Sequence, residues 1–229
     1  METIKKDGFN LVRQTDGPDL GYSPTSGVKI IEVDGKAFKS FDGSDTLLPY
    51  EDWRLPMEER AADLASRLSV DEIAGLMLYS IQNKLPMPND TYGGKPFAES
   101  GMKAYDLSDA QIKFLTDDNL RHVLVSTVES PETAARWNNK VQALIEGRTH
   151  GIPASNSSDP RHSAFADAEF SPGSDGSISL WSNMLGLAAT FSPETVEEFG
   201  RIAREEYRAL GLATALSPQA DLGTDPFTT

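Results

Sequence analysis

Apolar positions change their period several times along the chain, and each change marks an element. Residues 1–27 carry scattered Gly, Pro and Asp without apolar periodicity, which predicts a loop or arm with little rigid structure. Val28 to Val33 is β-prone, Asp34-Gly35 is a type I′ turn signal, and Lys36 to Phe41 returns as a second strand of a hairpin. Pro56 suits the first helical position, and Ala61, Leu64, Ala65 and Leu68 recur at helical spacing, so a helix is expected over about residues 56–68. Ser69 and Glu72 then form a capping box, in which each side chain satisfies an orphan backbone N–H. The helix it opens has Ile73, Leu76 and Met77 as its stripe. Residues 82–106 hold several Pro and Gly and read as a long loop.

The rhythm then becomes helix, strand, helix, strand. Ser108 with Gln111 caps a short helix, and His122 to Ser126 is a nearly continuous apolar run of the kind buried on both faces. Ser130-Pro131 opens a helix with Ala134, Asn138, Val141 and Ile145 on one face, closing near Gly147. Ile152 to Ser157 is a weaker strand. After a Ser/Gly/Pro-rich excursion over about 158–180, Ser192-Pro193 opens a helix with the stripe Val196, Phe199, Ala203, Tyr207 and Leu210 and with Gly211 as its C-terminal stop. Its opposite face carries Glu197, Glu198, Arg201, Arg204, Glu205 and Arg208, including an expected Glu197/Arg201 pair, and reads as solvated surface. Leu212 to Leu216 returns as a strand. Such alternation implies a parallel sheet, doubly wound or barrel-like, whose ligands meet the carboxyl ends of the strands. That directs attention to Ser126 and Thr127, to Ser158 through His162, and to Pro218 through Asp225.

Composition narrows the classes. The 229 residues are 38% hydrophobic and 24% charged, enough to bury a core. No run of about 18 apolar residues is present to span a bilayer, and the first residues lack the apolar stretch of a signal peptide, so a soluble, cytoplasmic protein is expected, or a periplasmic or secreted one if the N-terminus is not native. A formal charge of −14 repels phosphate backbones and anionic lipid heads, which disfavours nucleic-acid and membrane partners. With no cysteine there is no disulfide, thiolate nucleophile or Cys-ligated zinc.

The common catalytic motifs are missing. Gly93-Gly94-Lys95 is followed by Pro96 and fails as a phosphate loop; there is no Gly-x-Gly-x-x-Gly, no Gly-x-Ser-x-Gly and no His-Glu-x-x-His. Residues 40–51 partly match a calcium loop, with Asp42, Ser44 and Glu51 at ligand positions, but Ser40 replaces the first Asp and Asp45 stands where the turn wants Gly. The alternative is a plain acidic loop, with Asp52-Trp53 packing onto the first helix. No cofactor and no metal is expected. Asp159 differs from the many other carboxylates because it follows a strand and has Arg161 and His162 just after it, at the expected ligand edge, although a solvated turn is an equally good reading of those residues by themselves.

Several stretches together resemble the start of glycoside hydrolase family 3, the β-glucosidase and exo-glycosidase family. They are Pro49 to Arg54, Glu58 to Leu64, Leu68 to Met77, Gly151-Ile152-Pro153, Ser158-Asp159-Pro160-Arg161-His162-Ser163, Leu185 to Phe191, Glu205 to Gly211 and Leu216 to Leu222, in the expected order over about residues 46–226. The resemblance implies a TIM-like (β/α) barrel, here only its N-terminal units, in an α/β fold. On that reading residues 1–45 are an arm and hairpin, and 46–229 the N-terminal part of the barrel domain. It also implies retaining hydrolysis of terminal β-linked glucosyl or related residues by two carboxyl groups about 5 Å apart. In the family the aspartate at the position of Asp159 holds sugar hydroxyls, and Arg161 and His162 would flank that pocket.

The chain departs from the family pattern in two places. Ser163 stands where many relatives have Gly, and Thr224 stands where the family has a sugar-contacting Arg before Asp-Pro. The family's Ser/Thr-Asp-Trp nucleophile motif, its Lys-His pair and its acid/base carboxylate have no counterpart, since Asp52-Trp53 is preceded by Glu51 and opens the first helices. The expectation is therefore a portion of a β-glycosidase that binds a β-glucoside or oligosaccharide but lacks its catalytic carboxylates. The alternatives are a non-catalytic carbohydrate-binding remnant or a truncated inactive product. A closed eight-stranded barrel takes about 250 residues, so apolar edges are expected to need cover from a second copy or from a missing C-terminal part.

Overall fold

A computed structural model describes residues 1–87, 89–128, 130–158, 162 and 178–216. The N-terminal stretch, expected as an arm, is instead an antiparallel sheet of β1 (Glu2–Lys5), β2 (Asn10–Arg13) and β3 (Leu20–Tyr22), with Glu2 opposite Arg13 and Asn10 opposite Tyr22. Strands of three or four residues are too short to show a period, so only cross-strand pairing reveals them. Val12 is buried, and Gln14 ties the sheet to the next hairpin by accepting from the Ala37 N–H (2.9 Å) and donating to its carbonyl (3.3 Å).

That hairpin is β4 (Lys29–Val33) and β5 (Lys36–Ser40), joined as predicted through Asp34 and Gly35, both at positive φ (53° and 73°). Trp53 packs on this hairpin. Its ring stacks on the buried Phe38 (5.2 Å), and its Nε1 donates to the Ala37 carbonyl (2.9 Å). The helices α1 (Met57–Arg67) and α2 (Val70–Met77) follow, the second with the Ser69/Glu72 capping box intact.

The expected long loop contains a strand, β6 (Tyr79–Leu85), then the short pair β7 (Thr91–Tyr92) and β8 (Lys95–Pro96) and the single turn α3 (Phe97–Ser100). Polar residues hide β6 in the sequence; its pairing with β9 (His122–Val128), from Tyr79↔His122 to Leu85↔Val128, makes it a strand. Before β9 comes α4 (Asp109–Thr116), capped by Ser108 and Gln111; after it come α5 (Pro131–Glu146), β10 (Ser155–Ser158), α6 (Met184–Ala188), α7 (Pro193–Leu210) and β11 (Thr214–Ala215). The four parallel strands lie in the order β11-β10-β9-β6, each new strand added on the same side as the last. This is a mixed α/β architecture whose parallel sheet is open, with no closed barrel among the described residues.

The core lies between this sheet and its helices: Val123 and Val125 meet Ala134, Trp137, Val141 and Ile145 of α5 and Tyr207 and Leu210 of α7. Below it the buried Arg121 donates to the carbonyls of Leu115 (2.9 Å), Leu120 (2.7 Å) and Ile152 (3.0 Å), so one guanidinium joins the end of α4 to the approach to β10. On the outer face of α7, Arg201 pairs with Glu198 (2.6 Å) and Glu205 (2.8 Å) in place of the expected Glu197. Gly211 ends the helix at φ 85°, where a side chain would strain the backbone.

Candidate functional site

The carboxyl ends of the parallel strands fall at Leu85, Val128, Ser158 and Ala215. Ser126 and Thr127, expected beyond a strand, lie within β9. Asp159 and Arg161 lie outside the described residues, one and three positions past the end of β10; Ser163 and residues 218–225, with Thr224, also lie outside them.

The strand that leads to this edge is polar, and its hydrogen bonds explain how it survives burial. Asn156, Ser157 and Ser158 are each at most 2% exposed. The Ser157 hydroxyl donates to the Val123 carbonyl (3.1 Å) and lies 2.7 Å from the Tyr79 hydroxyl, while Ser155 meets Thr214 at 3.0 Å. Asn156, on the helix-facing side, donates to Asn138 of α5. Buried hydroxyls and amides are tolerated when they find partners, which here lie on three strands and a helix, with the Asn156 Oδ1 left unpaired. The register puts Tyr79, His122 and Ser155 side by side on the face away from α5, where Tyr79 and His122 are exposed.

Of the three candidate site residues, only His162 is described. It is 4% exposed, with its ring against Tyr207 (4.9 Å between centroids) and edge-on to Phe199 (6.3 Å). Its Nε2 stands 2.8 Å from Glu206 Oε2, within ion-pairing reach but off the line of a well-formed hydrogen bond. Burial holds the imidazole below its ordinary pKa, with Glu206 acting the other way, so the ring is neutral at neutral pH. Glu206 also accepts the backbone N–H of Ser179 (3.1 Å) and its hydroxyl. Sequence reasoning missed Glu206, although there was a signal. It stands three residues after Ala203 and seven after Phe199, a carboxylate on the apolar stripe of α7.

Around residues 40–51 the carboxylates serve their own loop. Glu51 accepts the amides of Phe41 (2.7 Å) and Leu48 (3.0 Å), and Asp42 accepts the Ser44 amide and the Ser40 hydroxyl (both 2.8 Å). No cluster of three or more metal-ligating side chains occurs among the described residues. A groove of about 1260 Å³ between the N-terminal sheet and α5, lined by Tyr22, Lys39, Tyr105, Arg136 and Glu146, lies away from the strand ends. No described helix is long and apolar enough to cross a membrane.

No family model matches the chain. It is 41% identical over 207 residues to a protein of Dickeya chrysanthemi named periplasmic beta-glucosidase/beta-xylosidase, an overlap of 88% of this chain and 29% of that one. It is 34% identical over 182 residues to beta-glucosidase C of Emericella nidulans (80% and 27%), and 33% identical over 185 residues to probable beta-glucosidase C of Aspergillus oryzae (80% and 27%). The chain belongs to glycoside hydrolase family 3. It spans less than a third of the length of these relatives. In this family 3 chain the described part of the Ser158-to-Ser163 stretch is its two anchors, Ser158 ending β10 and His162 against α7.

Proposed function

We propose that this chain is the N-terminal portion of a family 3 β-glycosidase barrel and supplies one wall of the pocket that holds the terminal sugar. The observation that carries the reading is the sequential parallel order β6-β9-β10-β11, with Ser158-Asp159-Pro160-Arg161-His162 leaving the carboxyl end of β10. A strand order that advances steadily to one side is the order of a barrel, whereas a doubly wound sheet reverses direction at its ligand site. In the complete enzyme a terminal β-linked glucosyl residue is cleaved with retention. Asp159 accepts two sugar hydroxyls and Arg161 donates beside it. The nucleophile and the acid/base carboxylate come from residues other than these 229, because no Ser/Thr-Asp-Trp occurs here.

A pocket wall without a nucleophile binds sugar and turns nothing over. With p-nitrophenyl β-glucoside the 229-residue chain is expected to show no steady hydrolysis, and calorimetry is expected to detect glucose binding that Asp159→Ala removes. Steady hydrolysis lost in Asp159→Ala would place the catalytic carboxylates within this chain and overturn the division of labour.

A further inference from the structure

We propose that the groove between the N-terminal sheet and α5 is a second carbohydrate site, separate from the strand-end edge, which takes a neutral β-linked oligosaccharide along its length. The choice of a saccharide rests on the glycosidase reading above; the shape and charge of the groove rest on their own contacts.

Two faces of α5 are in use. Ala134, Trp137, Val141 and Ile145 enter the core, while Arg136, Asn139, Lys140 and Ala143 recur at three- and four-residue spacing on another face and line the groove. The sheet side is joined to this face at two places. At one, Asp7 lies 3.7 Å from Arg136; at the other, the Glu146 carboxylate accepts the Ser23 N–H (2.8 Å) and pairs with Lys39 (2.6 Å). From Arg136 to Glu146 the helix rises about 15 Å. That length, with a volume of about 1260 Å³, exceeds what one compact small molecule needs and suits a short chain of linked rings.

The charges of the groove satisfy one another. Arg136 also pairs with Glu132 (2.7 Å), Lys140 pairs with Asp106, and both cations lie over the Tyr105 ring (5.5 and 5.2 Å). Arg148, exposed beyond Glu146, is the one lining cation without an ion pair among the described residues. A charged ligand gains little where the cations already have counter-ions, whereas hydroxyl groups can still bond to the remaining lone pairs and N–H groups. Aromatic surface stays open on the sheet side. Phe9 is 40% exposed, and a Cβ on Gly21 would stand 3.8 Å from its ring, so the ring lies against the side-chain-free point of β3, next to Tyr22. On the helix wall Asn139 offers an exposed amide with both donor and acceptor. Flat apolar rings on one wall and hydrogen-bonding groups on the other match a pyranose, which has C–H faces and a rim of hydroxyls.

The test is titration of the full chain with cellotetraose and with xylotetraose, followed by the amide resonances of Gly8, Gly21 and Asn139. The expected result is saturable movement of those three amides with at least one tetramer. Phe9→Ala, which removes the stacking face, should weaken that binding about tenfold, and Asn139→Ala about threefold. Groove amides that stay still with both tetramers would overturn the proposal, as would unchanged affinity in both variants. A tetragalacturonate that moves the same amides at lower concentration than the neutral tetramers would overturn the assignment of a neutral ligand. Should Phe9→Ala not fold, Asn139→Ala, at an exposed helix position, decides alone. Glucose heat that Asp159→Ala removes reports on the strand-end pocket and not on the groove. A chain that binds no glucose while its groove amides follow a tetramer therefore refutes the pocket reading and leaves the groove standing, and the reverse result refutes the groove alone.

Discussion

Replacing Asn138 with alanine removes the acceptor on which the buried amide of Asn156 depends, in the middle of the strand that leads to Asp159. A buried donor left without a partner costs about 1–3 kcal/mol. Alanine returns up to about 0.7 kcal/mol through its helix propensity in α5, so the net loss is about 1–2 kcal/mol. Gln142, the other donor to Asn138 (3.3 Å), keeps its bond to the Ala154 carbonyl (3.0 Å) and adds little. Asn156→Ala is a different perturbation. It loses the same bond, worth about 1 kcal/mol, but also removes a buried Oδ1 that has no hydrogen-bond partner. Its net cost is therefore smaller than that of Asn138→Ala. Once Asn156 is gone, Asn138→Ala has nothing left to orphan and should be neutral or slightly stabilising. The double-mutant cycle then gives a coupling of about 1–2 kcal/mol. Urea unfolding followed by tryptophan emission reads these differences, provided the slope m is constant. Additive costs, or an Asn156→Ala loss larger than that of Asn138→Ala, would refute the account of β10 as a polar strand held by its amide partner.

Other perturbations follow from the same geometry. His162 titrates below its ordinary 6.5 when folded, chiefly through burial. The unfolded chain therefore takes up that proton first as pH falls. Its contribution is full above about 6.5 and is lost as pH drops toward the folded pKa; urea midpoints between pH 5 and 7.5 should show this slope, and His162→Gln should flatten it. Gly147→Ala places a Cβ 1.7 Å from the Ser26 carbonyl, so the segment between β3 and β4 must move away from the end of α5. A loss of about 1–3 kcal/mol is expected from such overpacking, and an unchanged melt would contradict it. Val70, Met77, Leu185 and Phe191 are each at least 81% exposed. Sedimentation should accordingly show concentration-dependent self-association of the isolated chain, and a sharply melting monomer at all concentrations would count against it.

The site was legible by position and not by environment. A carboxylate with Arg161 and His162 after a predicted strand points to an edge, and the sugar-binding role of that edge is what the family resemblance implies and what we propose. Nothing in the linear pattern shows that His162 turns into α7, because a short Asp-Pro-Arg-His run carries no period. The carboxylate it meets is 44 positions later, at Glu206. Likewise Glu51 matched a calcium ligand by spacing, but its oxygens are taken by the Phe41 and Leu48 amides, which only the folded loop presents to it.

Local chemistry settled the elements whose ends are chemically marked. Ser69 with Glu72, Ser108 with Gln111, Ser130, Ser192 and Gly211 set helix termini by bonds to backbone within a few residues, and Asp34-Gly35 set a hairpin by its own φ preference. The apolar run of β9 declared itself as a strand, but it buries Val123 and Val125 on the face toward α5 while His122 on the other face is exposed and Leu124 is half-buried. Tertiary structure decided what needs a distant partner: the short strands at residues 2–22, β6 against β9, the polar β10 bonded to Tyr79, Asn138 and Thr214, and the convergence of His162 and Ser179 on Glu206. A backbone or side-chain polar group buried far from its neighbours in sequence takes its conformation from whichever remote group satisfies it, and no window of local residues contains that group.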